Sequence, residues 1–109
     1  REAYLKSLRY AGAETAKHGL TILIEAINTR DIPGFYLNTS RQAFDVMHYA
    51  GVPNLKFQYD IYHMQIMEGD LAPTIAKHLD KIGHMQLADT PGRHEPGTGE
   101  INYPFLFAH

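Results

Sequence analysis

Residues 55–60 read LKFQYD, a run in which apolar and polar side chains alternate. Alternation with a period of two is typical of a β-strand that is buried on one face. The apolar face contains Leu55, Phe57 and Tyr59, and the polar face contains Lys56, Gln58 and Asp60. The run therefore predicts a strand whose apolar side packs on helices and whose polar side ends in a carboxylate.

Two other stretches of the chain predict strands. Residues 20–25 read LTILIE, which is almost continuously apolar, as buried parallel strands are, and residues 82–87 read IGHMQL. Helices are predicted over residues 2–18, over residues 39–50, from about residue 70 onward, and over residues 103–109. Because helices and strands alternate along the chain, the strands are expected to be parallel and joined by crossover helices.

The ends of the predicted helices carry recognisable signals. Gly19 follows the first helix, at a position that favours a left-handed residue. Thr39 and Gln42 have the spacing of a capping box at the start of the second helix, and Gly51 follows its end. The segments 28–38 and 89–99 contain Gly and Pro and are predicted to be loops.

The fold class predicted from this pattern is α/β with parallel βαβ units, in a single domain over residues 1–109. Two architectures stay open on the pattern alone, a small doubly wound sheet and part of a (β/α)8 barrel. A complete barrel needs about 250 residues. The chain of 109 residues corresponds to roughly three and a half of the eight units, so it would be an incomplete barrel.

Composition limits the functional classes. Twelve acidic residues against ten basic ones give a formal net charge of −2, which offers no electrostatic footprint for nucleic acid or for an anionic membrane. Cysteine is absent, which excludes disulfides, thiolate zinc sites and cysteine nucleophiles. No apolar run has the length of a membrane-spanning helix and no signal-peptide pattern opens the chain, so a cytoplasmic protein is expected.

Each predicted strand carries a polar residue near its carboxyl end. These residues are Glu25, Asp60 and Gln86, and strand parity turns all three away from the helix-facing side. Ligand and catalytic groups gather at the carboxyl ends of parallel strands. Two carboxylates and an amide oxygen form a hard donor set, which suits Mg²⁺ or Mn²⁺. The alternative is that the carboxylates only pair with Arg or Lys at the mouth of the sheet.

Two further residues are candidates for substrate contact. His63 follows Asp60 by three residues and is expected to face the same cavity, although a hydrogen bond to a loop carbonyl would also explain it. Arg93 lies in the loop after the third strand, where a guanidinium could hold a carboxylate or a phosphate, or could simply be solvated. The other helical histidines are expected at the surface: His18, His48 and His78.

Four motifs identify a family. Residues 23–28 (LIEAIN), 31–35 (DIPGF), 58–65 (QYDIYHMQ) and 97–103 (GTGEINY) closely resemble hydroxypyruvate isomerases and the related 2-oxo-tetronate isomerases. These enzymes belong to the superfamily of xylose-isomerase-like TIM barrels. The resemblance covers essentially the whole chain. It implies a barrel more than twice this length, of which the chain would run from the helix before the fifth strand to the helix after the seventh.

The resemblance also implies roles for the candidate residues. Glu25 would be a metal ligand and one of two acid/base carboxylates, Asp60 and Gln86 would be metal ligands, and His63 and Arg93 would contact the substrate. The reaction would interconvert hydroxypyruvate and tartronate semialdehyde through an enediol. The family places a second catalytic Glu at the end of an eighth strand, which this chain does not include. Glu100 lies in the loop after the seventh strand and is not that residue.

Three alternatives are weighed against this one. A 2-oxo-tetronate isomerase or a ketose 3-epimerase would use the same ligands with a different pocket size. The three-zinc endonuclease branch is disfavoured, because it has His at the position of Gln86 and an Asp-x-His pair at residues 92–94, which here read GRH. A non-catalytic truncated barrel would expose two sheet edges and is expected to associate as a homo-oligomer.

Overall fold

The computed structural model describes residues 1–109 and contains a three-stranded parallel sheet with helices packed on it. The elements in chain order are α1 (Glu2–Ala16), β1 (Ile22–Glu25), α2 (Ser40–Ala50), β2 (Leu55–Asp60), α3 (Ile61–Met67), α4 (Leu71–His78), a 3-10 turn (Leu79–Lys81), β3 (Ile82–Gln86) and α5 (Tyr103–Ala108). The predicted alternation of helices and strands is confirmed. The capping box at the start of α2 is also present, with both of its hydrogen bonds.

The sheet has the order β1-β2-β3, and its register fixes which side chains share a face. Glu25 pairs with Gln58, and Asp60 pairs with Gln86. Paired residues of adjacent strands point to the same side of a sheet, and so do residues two apart on one strand. Glu25, Asp60 and Gln86 therefore lie on one side of the sheet, as the strand parity predicts.

An irregularity between β2 and β3 lets Gln86 join that side. The pairing shifts by one residue between Phe57 and Gln58, which leaves Gly83 as the extra residue of a bulge. A Cβ at Gly83 would lie 2.8 Å from the Cβ of Lys56, so this crowded place on the interior side admits only glycine without displacing a neighbour. The bulge was not predicted from the sequence.

The opposite side of the sheet is the hydrophobic core. Phe57 and Tyr59 have no exposed surface, and Leu55 is 3% exposed. Helices α1 and α2 cover this side with small and aliphatic residues: Leu5, Leu8, Ala43, Val46 and Ala50. Phe44 also packs edge-on against Phe57, with ring centroids 5.2 Å apart. The alternating pattern of β2 thus predicts the buried face correctly.

Three local expectations differ from the structure. Helix α1 ends at Ala16 and not at residue 18, because the chain turns through a left-handed Gly19 (φ 68°) into β1. Helix α3 was missed: it begins directly after β2, and Asp60 caps it. His78 is only partly exposed, because its ring stacks on Phe44 at a centroid distance of 4.1 Å. None of the helices has the length and apolar character required to cross a membrane.

Candidate metal and substrate site

Three side-chain oxygens converge at the carboxyl ends of the strands. The amide oxygen of Gln86 lies 3.1 Å from Oδ2 of Asp60 and 3.1 Å from Oε2 of Glu25, and Nε2 of Gln58 donates to it at 3.0 Å. Turning the amide over would instead direct its NH₂ group at both carboxylates. With its NH₂ group inward, Gln86 donates a hydrogen bond to each carboxylate; with its oxygen inward, three acceptor oxygens face one another, an arrangement that a bound cation would stabilise.

The donor set fits a hard divalent cation. Neighbouring oxygens around a six-coordinate ion with metal–oxygen distances of ~2.1 Å are separated by ~3.0 Å. The two separations of 3.1 Å between Gln86 and the carboxylates fit this spacing when the amide oxygen points inward. Oxygen ligands of this kind suit Mg²⁺ or Mn²⁺ better than zinc or copper. Glu25, Asp60 and Gln86 therefore meet the chemical requirements of the predicted metal ligands.

The electrostatics of the carboxylates point the same way. Burial, followed by the proximity of Asp60, raises the pKa of Glu25 above its ordinary value. The Glu25 and Asp60 carboxylates each have an oxygen within 4.8 Å of the other, so they disfavour each other's charge, and a cation between them would relieve the repulsion. The site thus has an unbalanced negative charge where a cation can bind.

The start of helix α3 places His63 against the same carboxylates. Oδ1 of Asp60 accepts a hydrogen bond from the backbone N–H of Tyr62 at 2.9 Å and caps the helix, while its Oδ2 faces the site. His63 is 2% exposed, and its Nε2 lies 3.6 Å from Oδ2 of Asp60 and 3.9 Å from Oε2 of Glu25. His63 therefore faces the cavity, as the sequence predicts.

The contacts of Nδ1, the second ring nitrogen of His63, show which of the two ring nitrogens carries the hydrogen. Nδ1 accepts a hydrogen bond from the backbone N–H of Asn28 at 3.1 Å, and the Asn28 side-chain NH₂ lies 2.8 Å away. Burial, as the largest cause, lowers the pKa of His63, which favours the neutral ring. A neutral ring with an acceptor at Nδ1 bears its hydrogen on Nε2, so His63 directs an N–H donor into the site.

This assignment separates His63 from the metal ligands. Glu25, Asp60 and His63 each offer a ligand atom within 4.8 Å of the others, so distance alone would permit a Glu-Asp-His metal site. A histidine that binds a metal through Nε2 usually donates Nδ1–H to an acceptor, and here Nδ1 meets donors instead. We therefore favour Gln86 over His63 as the third ligand.

Arg93 lies at the mouth of the same site. Its Nη2 is 3.5 Å from Oδ2 of Asp60, and its guanidinium lies over the ring of Tyr62, 5.0 Å from the centroid. The Arg93 side chain is 49% exposed, so it has room to bind a ligand. The structure thus brings together all five predicted site residues.

Several polar residues around the site were not predicted. Asn28, which has no exposed surface, holds His63, and Asp31 accepts a hydrogen bond from the Tyr62 hydroxyl at 2.6 Å. Asp89 is also fully buried, in the loop that carries Arg93. Asn28 and Asp89 each follow an observed strand, β1 or β3, by three residues, and this position just after a strand is the one sequence signal that could have marked them. Glu100 is exposed and accepts a hydrogen bond from Gln65 at 2.8 Å, outside this cluster.

Helices cover the apolar side of this parallel sheet, and polar side chains lie at the carboxyl ends of its strands. This is the arrangement of one part of an α/β barrel. The family model of the xylose isomerase-like TIM barrel matches residues 1–109. The chain belongs to this family, and the predicted fold class is confirmed.

Individual relatives were found by sequence and by structure. The chain is 55% identical to the hydroxypyruvate isomerase of Escherichia coli over 103 residues, which is 94% of the chain and 40% of the relative. It is 48% identical to a 2-oxo-tetronate isomerase of Cupriavidus necator, with 98% and 41% of the two chains covered. A crystal structure described as an AP endonuclease of family 2 from Brucella melitensis superposes with a TM-score of 0.95 at 42% identity, covering 98% of this chain and 42% of that one. The chain thus spans about two fifths of the length of its curated relatives.

Proposed function

We propose that this chain is part of a metal-dependent isomerase that interconverts hydroxypyruvate and tartronate semialdehyde. The observation that carries the proposal is the convergence of Glu25, Asp60 and Gln86 beside Arg93, in which the Gln86 amide lies 3.1 Å from an oxygen of each carboxylate. The identity of 55% to a hydroxypyruvate isomerase supports the choice of reaction.

Glu25, Asp60 and Gln86 would hold the cation, which is Mg²⁺ or Mn²⁺ in this proposal. When bound, a divalent cation polarises the oxygens of an adjacent carbonyl and hydroxyl group. Arg93 would bind the substrate carboxylate as a two-pronged donor, because a guanidinium matches the two oxygens of a carboxylate. Nε2–H of His63 would donate a hydrogen bond to a substrate oxygen and so fix the substrate's orientation.

Glu25 would move the proton between carbons. It would take a proton from C3 of hydroxypyruvate, and the electron pair of the broken C–H bond would form the C2–C3 double bond of an enediol. The π electron pair of the C2 carbonyl would move to O2, which takes up a proton in the enediol. When the O3–H bond breaks, its electron pair forms the C3 aldehyde and the C2–C3 pair takes a proton at C2, which gives tartronate semialdehyde. The proton lost from O3 balances the one gained by O2, and the proton lost from C3 balances the one gained by C2, so no external oxidant or reductant is needed.

The chain also resembles a structure described as an AP endonuclease, but its residues support DNA cleavage less well than isomerisation. A three-zinc site would need a metal-binding nitrogen where Gln86 supplies an amide, and would need a bare Nε2 on His63. The hydrogen bond from Asn28 to Nδ1 of His63 favours a hydrogen on Nε2. The formal charge of −2 also offers nothing to attract DNA.

The test is turnover by the complete barrel that contains these residues. The protein is stripped of metal with a chelator and assayed with hydroxypyruvate, with the longer substrate 2-oxo-tetronate and with an abasic DNA duplex. We expect isomerisation of hydroxypyruvate that is lost after stripping and restored by Mn²⁺ or Mg²⁺. Preference for 2-oxo-tetronate would redirect the proposal to that substrate, and cleavage of the duplex or metal-independent turnover would overturn it.

The 109-residue polypeptide on its own provides a second check. It carries one of the two acid/base carboxylates that the family uses, and each such group contributes about 10²–10⁴ in rate. We therefore expect no measurable isomerisation by this polypeptide in excess Mn²⁺. Turnover at the rate of an ordinary enzyme would show that another residue, such as Glu100, acts as the second carboxylate.

A further inference from the structure

The loop between β3 and α5 carries Arg93, yet the loop itself has almost no core. Residues 91–100 are all exposed. Gly92, Arg93 and Gly97 have left-handed backbone angles, with φ of 98°, 58° and 96°. A non-glycine residue is strained at such an angle, so surrounding contacts must hold Arg93 there.

The contacts that hold the loop meet at the carboxylate of Asp89. Its Oδ1 accepts hydrogen bonds from the backbone N–H groups of Thr90 at 2.9 Å and Ile101 at 3.0 Å. Its Oδ2 accepts one from the N–H of Gly97 at 3.0 Å. One side chain therefore joins the beginning, the middle and the end of the loop.

The backbone around Asp89 closes on the same point. The N–H of Asp89 donates to the carbonyl of His94 at 2.7 Å, and the N–H of Glu100 donates to the carbonyl of Thr90 at 2.8 Å. Gly99 approaches so closely that a Cβ there would lie 2.7 Å from Oδ1 of Asp89. The loop is folded tightly around a buried carboxylate, and Arg93 lies on its outer turn.

The charge of Asp89 is maintained in this environment. Burial by itself would raise the pKa of Asp89, but backbone hydrogen bonds from Ile101, Gly97, Gly99 and Thr90 lower it below its ordinary value. The anion therefore persists at neutral pH, and charge-assisted hydrogen bonds of this kind are stronger than neutral ones.

We propose that Asp89 is the positioning residue for Arg93: it sets the affinity for the substrate carboxylate without touching the substrate. The inference rests on the proposed function, in which Arg93 binds that carboxylate. Displacing a binding group by about 1 Å can cost up to about a hundredfold in rate.

The principal variant is Asp89→Asn in the complete barrel. Asparagine has the same size as aspartate and keeps one side-chain oxygen. Its NH₂ group replaces the other oxygen and therefore faces a backbone N–H that has lost its acceptor. We expect KM for hydroxypyruvate to rise about threefold to tenfold with kcat nearly unchanged. Glu95→Gln is the matched control, since it makes the same chemical change at an exposed carboxylate of the same loop, and we expect no change in KM.

A double-mutant cycle distinguishes positioning from general loosening. If Asp89 acts through Arg93, KM of the Asp89→Asn, Arg93→Ala double variant equals that of Arg93→Ala within about twofold. Fully additive effects would overturn the proposal. Should Asp89→Asn fail to fold, Asp89→Ser shortens the side chain and keeps one hydroxyl acceptor for the loop, and it too should raise KM.

Trypsin cleavage after Arg93 provides a readout that does not need activity. The rate at Arg93 is compared with that at Arg30, in the exposed loop after β1, and we expect Asp89→Asn to raise this ratio. If the cleavage ratio rises but no variant, nor the parent, turns over hydroxypyruvate, Asp89 still holds the loop in place and the proposed function is refuted. An unchanged ratio and an unchanged KM, in an enzyme where Arg93→Ala raises KM, would refute the positioning role alone.

Discussion

The two faces of strand β2 differ more than any other neighbouring parts of the molecule. On the helix side, Phe57 and Tyr59 are completely buried among apolar side chains. On the other side, Asp60 is 2% exposed but contacts charged and polar groups, among them His63 and Arg93. A single strand of six residues thus stabilises the fold with one face and holds a site with the other.

The energetic basis of the two faces differs as well. Apolar burial is non-directional and depends on area, so the helix-facing residues need only to fill space. A buried carboxylate is costly unless hydrogen bonds or opposite charges compensate it, so Asp60 needs specific partners. Substitutions on the helix side should therefore lower stability, whereas substitutions at the strand ends should lower activity.

The largest effect on activity is expected at Glu25. Glu25→Gln removes the proposed acid/base group, and we expect kcat to fall about 10²–10⁴-fold with little loss of stability. Glu100→Gln is the control, because Glu100 is an exposed carboxylate bound to Gln65, and its activity should stay within about twofold of the parent. Steady-state kinetics with hydroxypyruvate decide the matter. Equal losses in both variants would contradict the assignment of Glu25 as the acid/base group.

The opposite effect is expected at Phe57. Phe57→Ala leaves a cavity beside Phe44 and Tyr59 and should lower the free energy of unfolding by about 3–5 kcal/mol. Tyr10→Ala makes a similar truncation at a ring that is 70% exposed, and it should cost no more than about 0.5 kcal/mol. Urea unfolding measures both. A Phe57 variant of unchanged stability but reduced kcat would show that the helix side also takes part in the chemistry.

The sequence predicted the two faces because both depend on local alternation. The parity of LTILIE and LKFQYD places Glu25 and Asp60 on the side away from the helices, as the register confirms. Gln86 was expected on the same side, but it reaches that side through the bulge at Gly83, which the pattern of IGHMQL does not reveal. Helix α3 was missed because seven residues carry little periodicity, although an aspartate before an apolar run is an N-cap signal.

The supporting residues could not be predicted in the same way. Asn28 contacts His63 across 35 positions of the chain, and Asp89 binds backbone groups up to 12 positions away. Such contacts depend on how strands and loops meet in space, which no local pattern encodes. The sequence therefore indicated which residues form the site, but not which residues hold them in place.

A smaller effect, confined to binding, is expected at Arg93. Arg93→Ala should raise KM for hydroxypyruvate about tenfold to a hundredfold, which corresponds to the loss of charge-assisted hydrogen bonds to a carboxylate. Its kcat should change much less than that of the Glu25 variant. Arg30→Ala, in the other loop at the strand ends, is the control. If Arg93→Ala lowers kcat and leaves KM unchanged, Arg93 acts on the transition state and not on binding.

The smallest effect is expected at Tyr62, whose ring and hydroxyl contact different groups beside the site. Its ring lies beneath the guanidinium of Arg93, and its hydroxyl donates to Asp31 at 2.6 Å. Tyr62→Phe keeps the ring and loses the hydroxyl, so KM should stay within about twofold while stability falls by about 1–2 kcal/mol.

Tyr62→Leu removes the ring as well, and it should raise KM by a further factor of about two to five, the size of a partly exposed cation–π contact. Comparing KM and urea unfolding for the two variants separates the contributions of the ring and the hydroxyl. If Tyr62→Phe raises KM as much as Tyr62→Leu does, the hydrogen bond to Asp31 orients Arg93 and the ring does not. The polar network would then control substrate binding without help from the cation–π contact.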